Sequence, residues 1–311
     1  MRPRRKDWGL VAHEIPSTRE HSMLTGSLVS GLGLGSMYGL IALGFHVTYA
    51  VSGTVNFAQG SAVTLGAVLG YMLGVTLGWP MPLAVVAALA GCAFLGIVVE
   101  RILVRPFVER NSDAWLLATV AGGVVLDNVI LFTFGKEPRS LPSPLARNPV
   151  DLFGTGIYPL QIVIPVVGLA VAFAIRTVFR RTDLGRVLLA VAQNADAARL
   201  MGIDVRRTVA CAFALSALLA GAAGLLIAPL FSVSAEMGTL FGIKAFAVAI
   251  LGGIGSATGV VLAGLLYGVV EALVTGYLGS GYTQIVVFSV IILALALRPD
   301  GLLGRAAVNK V

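Results

Sequence analysis

Two short segments carry residue types suited to passing a polar solute rather than transforming one. The first runs Ser52-Gly53-Thr54-Val55-Asn56-Phe57-Ala58-Gln59-Gly60-Ser61-Ala62 and sets glycines and amide side chains in the middle of a charge-free stretch. Amides donate and accept hydrogen bonds, and broken backbone at membrane depth is tolerated where protein buries it or where it lines a cavity. The second runs Leu251-Gly252-Gly253-Ile254-Gly255-Ser256-Ala257-Thr258-Gly259 and also joins two apolar runs. Both contain Gly-Ser-Ala, as Gly60-Ser61-Ala62 and Gly255-Ser256-Ala257, a weak sign of an internal repeat. Transporters use such breaks at their substrate paths, often at repeat interfaces. Asn56, Gln59, Gly60, Gly253 and Gly255 are therefore the expected path residues. An ordinary short loop between two crossings is the competing reading of the first segment.

Four isolated polar residues lie within apolar runs: His46, Asp127, Lys244 and Glu271. Such groups are costly in lipid and face an interior or a partner. Lys244 and Glu271, both in the last third, are the expected pair. Asp127, beside Asn128, is placed near an interface. Catalytic constellations are missing: there is no G-x-x-x-x-G-K-[ST] phosphate loop, no H-E-x-x-H pair and no G-x-S-x-G elbow. ATP hydrolysis, where involved, must come from another chain. Cys92 and Cys211 lack C-x-x-C spacing or neighbouring histidines, so neither a disulfide framework nor a metal site is indicated.

A third segment is basic. Thr182-Asp183-Leu184-Gly185-Arg186 leads through residues 187–200 to Met201-Gly202-Ile203-Asp204. Asp183 is the expected N-cap acceptor and Gly202 the expected stop. Between them Leu188, Ala192, Ala195 and Leu200 form an apolar stripe on one amphipathic helix. A partner's groove is one way to cover it; this chain's own membrane domain or lipid headgroups are others.

The elements that must hold these segments follow from composition. The 311-residue chain is 57% hydrophobic and 12% charged, about half the charge of a soluble domain. Residues 21–99 contain no Asp, Glu, Lys or Arg. As one helix they would span about 120 Å, against about 30 Å of bilayer core, so the run holds several crossings. Crossings are expected near 24–50, 57–78, 81–104, 114–135, 157–178, 208–231, 240–253, 257–277 and 282–298. The 240–253 segment is short and carries Lys244, so it is a candidate re-entrant helix. The expectation is an all-α polytopic transmembrane bundle of eight or nine membrane segments, with broken or re-entrant helices. Gly66, Gly70, Gly74 and Gly78 share a helix face, and Gly264 and Gly268 repeat the spacing, as tight helix packing in lipid requires. The net charge of +7 reflects loops obeying the positive-inside rule and does not indicate nucleic-acid binding.

Arg176, Arg180, Arg181, Arg186, Arg199, Arg206 and Arg207 make 176–207 the densest basic stretch and place it in the cytoplasm. Alternation puts Arg101, Arg105, Arg110, Arg298, Arg305 and Lys310 on the same side, and the proline-rich loop 136–156 outside. It also puts outside the first residues, with Arg2, Arg4, Arg5, Lys6 and Arg19. That conflict is removed if residues 1–22 are an extension that is not translated and Met23 initiates a single transmembrane domain, 23–311, which includes the basic loop 180–207; the competing reading is a real extension that stays cytosolic.

With these residues in view, the chain resembles the branched-chain amino-acid ABC permeases of the LivH type. The resemblance rests on Gly33-Leu34-Gly35-Ser36-Met37-Tyr38-Gly39-Leu40-Ile41-Ala42-Leu43-Gly44 followed by Val55-Asn56-Phe57-Ala58-Gln59-Gly60. It continues in Gly185-Arg186, Asn194-Ala195-Asp196-Ala197-Ala198 and Met201-Gly202-Ile203, in Lys244-Ala245-Phe246 with residues 248–256, and in residues 298–305. It implies a helical permease paired with a second permease subunit, two ATP-binding cassette subunits and a periplasmic solute-binding protein, in a bacterial inner membrane. Gly185, Ala195, Ala198, Met201 and Gly202 would then couple to the ATPases. ATP and Mg would be bound by those partners, and no cofactor by this chain. Gln59 departs from the pattern, where His is frequent, and cannot titrate. Cargo would be leucine, isoleucine, valine or a related amino acid, with urea or short amides as the alternative. A passive channel is the other class; it would need two Asn-Pro-Ala-like caps, and the only Asn-Pro is Asn148-Pro149. An intramembrane enzyme is disfavoured by the missing constellations.

Overall fold

A computed structural model describes residues 17–146, 148–152, 155–298 and 301–304. The head residues Arg2, Arg4, Arg5 and Lys6, and Arg305 and Lys310 of the tail, lie outside the described residues.

Each expected crossing corresponds to an apolar helical segment. Helix α1 spans Ser17–Ser52, and α2 spans Gln59–Tyr71 and continues as a π-turn, Met72–Thr76. Helix α3, Met81–Val99, opens with Pro80 and Pro82 and runs through a second π-turn, Glu100–Val104, into α4, Arg105–Val108. Helix α5 is Trp115–Phe134. A short hairpin follows, β1 Val150–Leu152 against β2 Thr155–Ile157, before α6, Pro159–Arg181. Helices α7, Asp183–Gln193, and α8, Ala195–Leu200, precede α9, Val205–Ile227. Helices α10, Met237–Gly252, α11, Ala257–Leu278, and α12, Ser280–Leu297, complete the bundle. Among the described residues, seven helices are long and apolar enough to cross a membrane alone. At 16 residues, α10 rises only about 24 Å, short of a bilayer core.

Glycine sets the packing. Water does not drive helices together inside lipid, so close backbone approach must. Helix α1 lies antiparallel on α11, and its Gly31, Gly35 and Gly39 form one face. A Cβ added at Gly35 would sit 2.7 Å from the Gly264 carbonyl oxygen, and one at Gly268 2.3 Å from the Gly35 nitrogen. On α2, a Cβ at Gly66 would meet the Gly221 carbonyl oxygen of α9 at 2.4 Å. The four-residue glycine spacing on α2 is thus a packing face as far as Gly74, whereas Gly78, with φ +67°, ends the segment. Helices α1, α2, α9, α10 and α11 form the packed centre, and α3, α5, α6 and α12 expose apolar side chains around it.

Loop contacts join neighbouring connections at each end of the bundle. On one side Arg206 pairs with Glu109 at 3.0 Å, joining the start of α9 to the end of α4. On the other, Arg139 and Val233 exchange backbone hydrogen bonds. The Arg139 guanidinium also covers the Phe134 ring at 4.7 Å and clasps α5.

Candidate functional site

The first break is a return segment inside the membrane domain. Gln59 lies against Gly44, about 12 Å of helix rise before α1 ends at Ser52. The chain from Gly53 to Ala58 therefore doubles back beside the end of α1. Its polar groups are satisfied locally: Asn56 Oδ1 accepts from the Ala58 amide at 3.1 Å, and Ser52 and Thr54 hydroxyls meet at 2.7 Å. Gln59 is fully buried and donates from Nε2 to the Ser216 carbonyl at 3.0 Å, while its Oε1 lies 2.9 Å from the Ser216 hydroxyl. A Cβ on Gly44 would come within 2.2 Å of that Nε2, so Gly44 makes the room Gln59 occupies.

Gly60 is a crossing point. A Cβ there would sit 2.6 Å from the Gly238 carbonyl oxygen at the start of α10, and Gly242 packs on the same residue. Helix α10 thus connects the two breaks. Its first turn rests on Gly60, and Phe246 in its middle meets both Phe45 and Phe57 edge-on. Its end at Gly253, with φ +84°, opens the second break. There His46 Nδ1 donates to the Ile254 carbonyl at 2.7 Å, tying α1 to the junction. Ser256 accepts from the Gly259 amide and caps α11. Residues 301–304 fold back onto this junction: the amides of Leu302 and Leu303 donate to the carbonyls of Leu251 and Gly252. Of the expected path residues, Gly255 is exposed and Asn56, Gln59, Gly60 and Gly253 are buried in packing.

The expected ion pair is present. Lys244 Nζ pairs with Glu271 Oε1, joining α10 to α11, and lies 3.4 Å from the Tyr38 hydroxyl of α1. Tyr38 meets Tyr267 edge-on. Both charged side chains are 9% exposed, and Glu271 Oε2 has no hydrogen-bond partner among the described residues. Asp127 accepts from the Thr239 hydroxyl at 3.0 Å, linking α5 to the start of α10.

The basic segment differs from the single amphipathic helix expected. It breaks at Asn194, whose extended backbone and Oδ1, accepting from the amides of Asp196 and Ala197, start a second helix. Asp183 is not the cap of α7: Thr182 Oγ1 accepts from the Gly185 amide, and Asp183 pairs with Arg186 in solvent. Gly202 does end α8, with φ +81°. The stripe is mostly covered from within. Leu188, Val191 and Ala198 pack on Val47 and Val51 of α1 and on Val205 and Ala212 of α9, with Ala195 at the edge. Gly185 allows α7 to turn tightly on α6, since a Cβ there would lie 2.4 Å from Phe179 Cα. Leu200, expected in the stripe, instead points outward at 89% exposure, beside Met201 at 82%. The five expected coupling residues therefore divide: Met201 projects, while Gly185, Ala195, Ala198 and Gly202 shape the knuckle that presents it.

Two polar features had no place in the sequence reading. Glu100, almost fully buried, forms a two-pronged ion pair with Arg105, at 2.7 and 3.0 Å. The π-turn, whose hydrogen bonds run i to i+5, brings that spacing onto one face. The other is Arg139 on its aromatic rings; only its place in the outer loop was legible.

Comparison with known proteins agrees with this geometry. The family described as "Branched-chain amino acid transport system / permease component" matches residues 27–295. The chain is 33% identical to the high-affinity branched-chain amino acid transport system permease protein LivH of Escherichia coli K12, over 91% of this chain and 96% of the relative. It is 34% identical to the corresponding permease BraD of Pseudomonas aeruginosa, over 91% and 97%. Similarity extends to the ribose import permease RbsC of Escherichia coli K12, at 30% identity over 93% and 90%. A membrane-embedded helical bundle, broken twice at glycine-rich turns and matched along nearly its whole length, makes this chain a member of the branched-chain amino acid transport permease family.

Proposed function

We propose that this chain is the membrane-spanning subunit of a bacterial inner-membrane importer for leucine, isoleucine, valine or a related amino acid. It works with a second permease subunit, two ATP-binding cassette subunits and a periplasmic solute-binding protein. Hydrolysis of ATP takes place on those partners, and cargo passes by alternating access.

The observation that carries this reading is the cytosolic knuckle. Two large apolar side chains, Leu200 and Met201, stand in solvent on a short helix that is capped at Asn194 and braced against α1 and α9. A rigid apolar projection suits a partner's groove, and its bracing carries motion to the helices that flank both breaks. An allosteric link of this kind needs two states that both sites bias.

The test is uptake into proteoliposomes holding the complete complex, with ATP at the cassette side and the solute-binding protein outside. Labelled leucine should enter only with ATP. ATP-driven uptake of urea or ribose but not leucine would reassign the cargo, while flux through this chain alone would make it a channel.

A further inference from the structure

The cytosolic half of the bundle contains a cavity that none of the path or coupling residues lines. It has a volume of about 720 Å³ and lies between α1, α6, α7 and α11. Its walls are apolar, with Leu43, Leu169, Phe173, Val261 and Leu262 among them. Phe173 and Leu262 are at the same time exposed on the outer surface, so the cavity opens where α6 and α11 face the bilayer.

Polar groups collect at one end only. Arg176 and Arg180 stand one turn apart on the α6 face that lines the cavity, near the cytosolic end of the helix. No acidic residue lines it. Of the arginines further along, Arg181 is exposed at the helix end and does not line the cavity, while Arg186, Arg199, Arg206 and Arg207 each face a carboxylate. Arg176 and Arg180 have no ion-pair or hydrogen-bond partner among the described residues. His46 and Thr258 complete the polar end; His46 Nδ1 donates to the Ile254 carbonyl, which leaves Nε2 as an acceptor for a headgroup hydroxyl.

An apolar slot open to lipid, capped at headgroup level by two unpaired arginines, has the chemistry of one ligand class. We propose that the cavity binds an anionic phospholipid of the cytosolic leaflet, its acyl chain between α6 and α11 and its phosphate on Arg176 and Arg180. Basic pockets between transmembrane helices on the cytosolic side hold such headgroups, and arginine forks match phosphate oxygens. The site touches α1 at His46 and Val47, next to the contact of Val47 with the coupling helices. An occupied site would thus stiffen the floor on which the knuckle rests.

The test is native mass spectrometry of the full-length chain released from nanodiscs containing equal phosphatidylglycerol and phosphatidylcholine. Wild type should retain one phosphatidylglycerol after delipidation. The exposed pair Arg176→Gln/Arg180→Gln should lose phosphatidylglycerol affinity roughly thirtyfold, the factor expected of two charges at an anionic surface. Phosphatidylcholine retention should not change, nor should anything in the control Arg186→Gln/Arg199→Gln. Ala172→Trp, which fills the slot, should remove the retained lipid. Equal retention of the two lipids, an unaffected double variant, or displacement of the lipid by inorganic phosphate alone would each overturn the proposal.

Discussion

Replacing Glu271 with alanine would strip Lys244 of the carboxylate it pairs with. At 9% exposure water cannot take over, and the Tyr38 hydroxyl at 3.4 Å is then the ammonium's remaining partner. Removing one member of a buried pair costs about 3–5 kcal/mol, a large part of the roughly 5–15 kcal/mol that holds a domain folded. Lys244→Met should cost a similar amount, since it leaves the buried Glu271 carboxylate without its cation. Exchanging both for apolar residues removes the charges together and is often neutral or stabilising. The double variant Lys244→Met/Glu271→Leu should therefore lie within about 1 kcal/mol of wild type. Coupling in the cycle should reach about 5 kcal/mol or more, against about 0.6 kcal/mol for an average hydrogen bond between membrane helices. The assay is unfolding of the four purified proteins by added SDS in mixed micelles. Single variants within about 1 kcal/mol of wild type, or a cycle additive to about 0.5 kcal/mol, would refute the idea that this pair clasps α10 to α11.

Two further pairs of variants test the helix packing and the knuckle. Gly66→Ala should destabilise by about 1–3 kcal/mol, because the new carbon lands 2.4 Å from backbone of α9. Gly91→Ala, which meets only the tip of Leu69 at 2.8 Å, should be close to neutral in the same SDS titration. At the knuckle, Leu200→Asp/Met201→Asp should abolish substrate-stimulated ATP hydrolysis and leave stability within about 0.5 kcal/mol per site. Ala198→Arg should instead lower stability and yield, as Ala198 is 4% exposed; the reverse pattern would reassign the contact surface.

The crossings were legible because lipid demands long apolar runs, and their bounds differ by a few residues, as at both ends of α9, which stops at Ile227 rather than 231. Helix α9 starts at Val205, where Asp204 caps the Arg207 amide; the arginines of that first turn masked it. The Lys244–Glu271 pair was legible because charges within membrane runs are so few. The breaks were visible as breaks, but the role of Gln59 was not: its partner Ser216 is far away in sequence and only the fold brings them together. The split at Asn194 had a local signal, an asparagine two residues before Asp196, which the continuous apolar stripe outweighed. The π-turns had none beyond the spacing of Glu100 and Arg105. The hairpin at 150–157 sat in a loop whose prolines argued against regular structure.

The strap at residues 301–304 bears on how the protein is made. The carbonyls of Leu251 and Gly252 emerge from the ribosome early, whereas the amides that satisfy them, on Leu302 and Leu303, follow only after α11 and α12. Until then the end of α10 lacks its partners, and buried carbonyls without partners are costly. The second break thus closes as a late step of biogenesis, after both following helices have been threaded into the bilayer. A reporter or affinity tag fused directly behind residue 304 would pull on that closure, so such fusions should be joined through a flexible spacer.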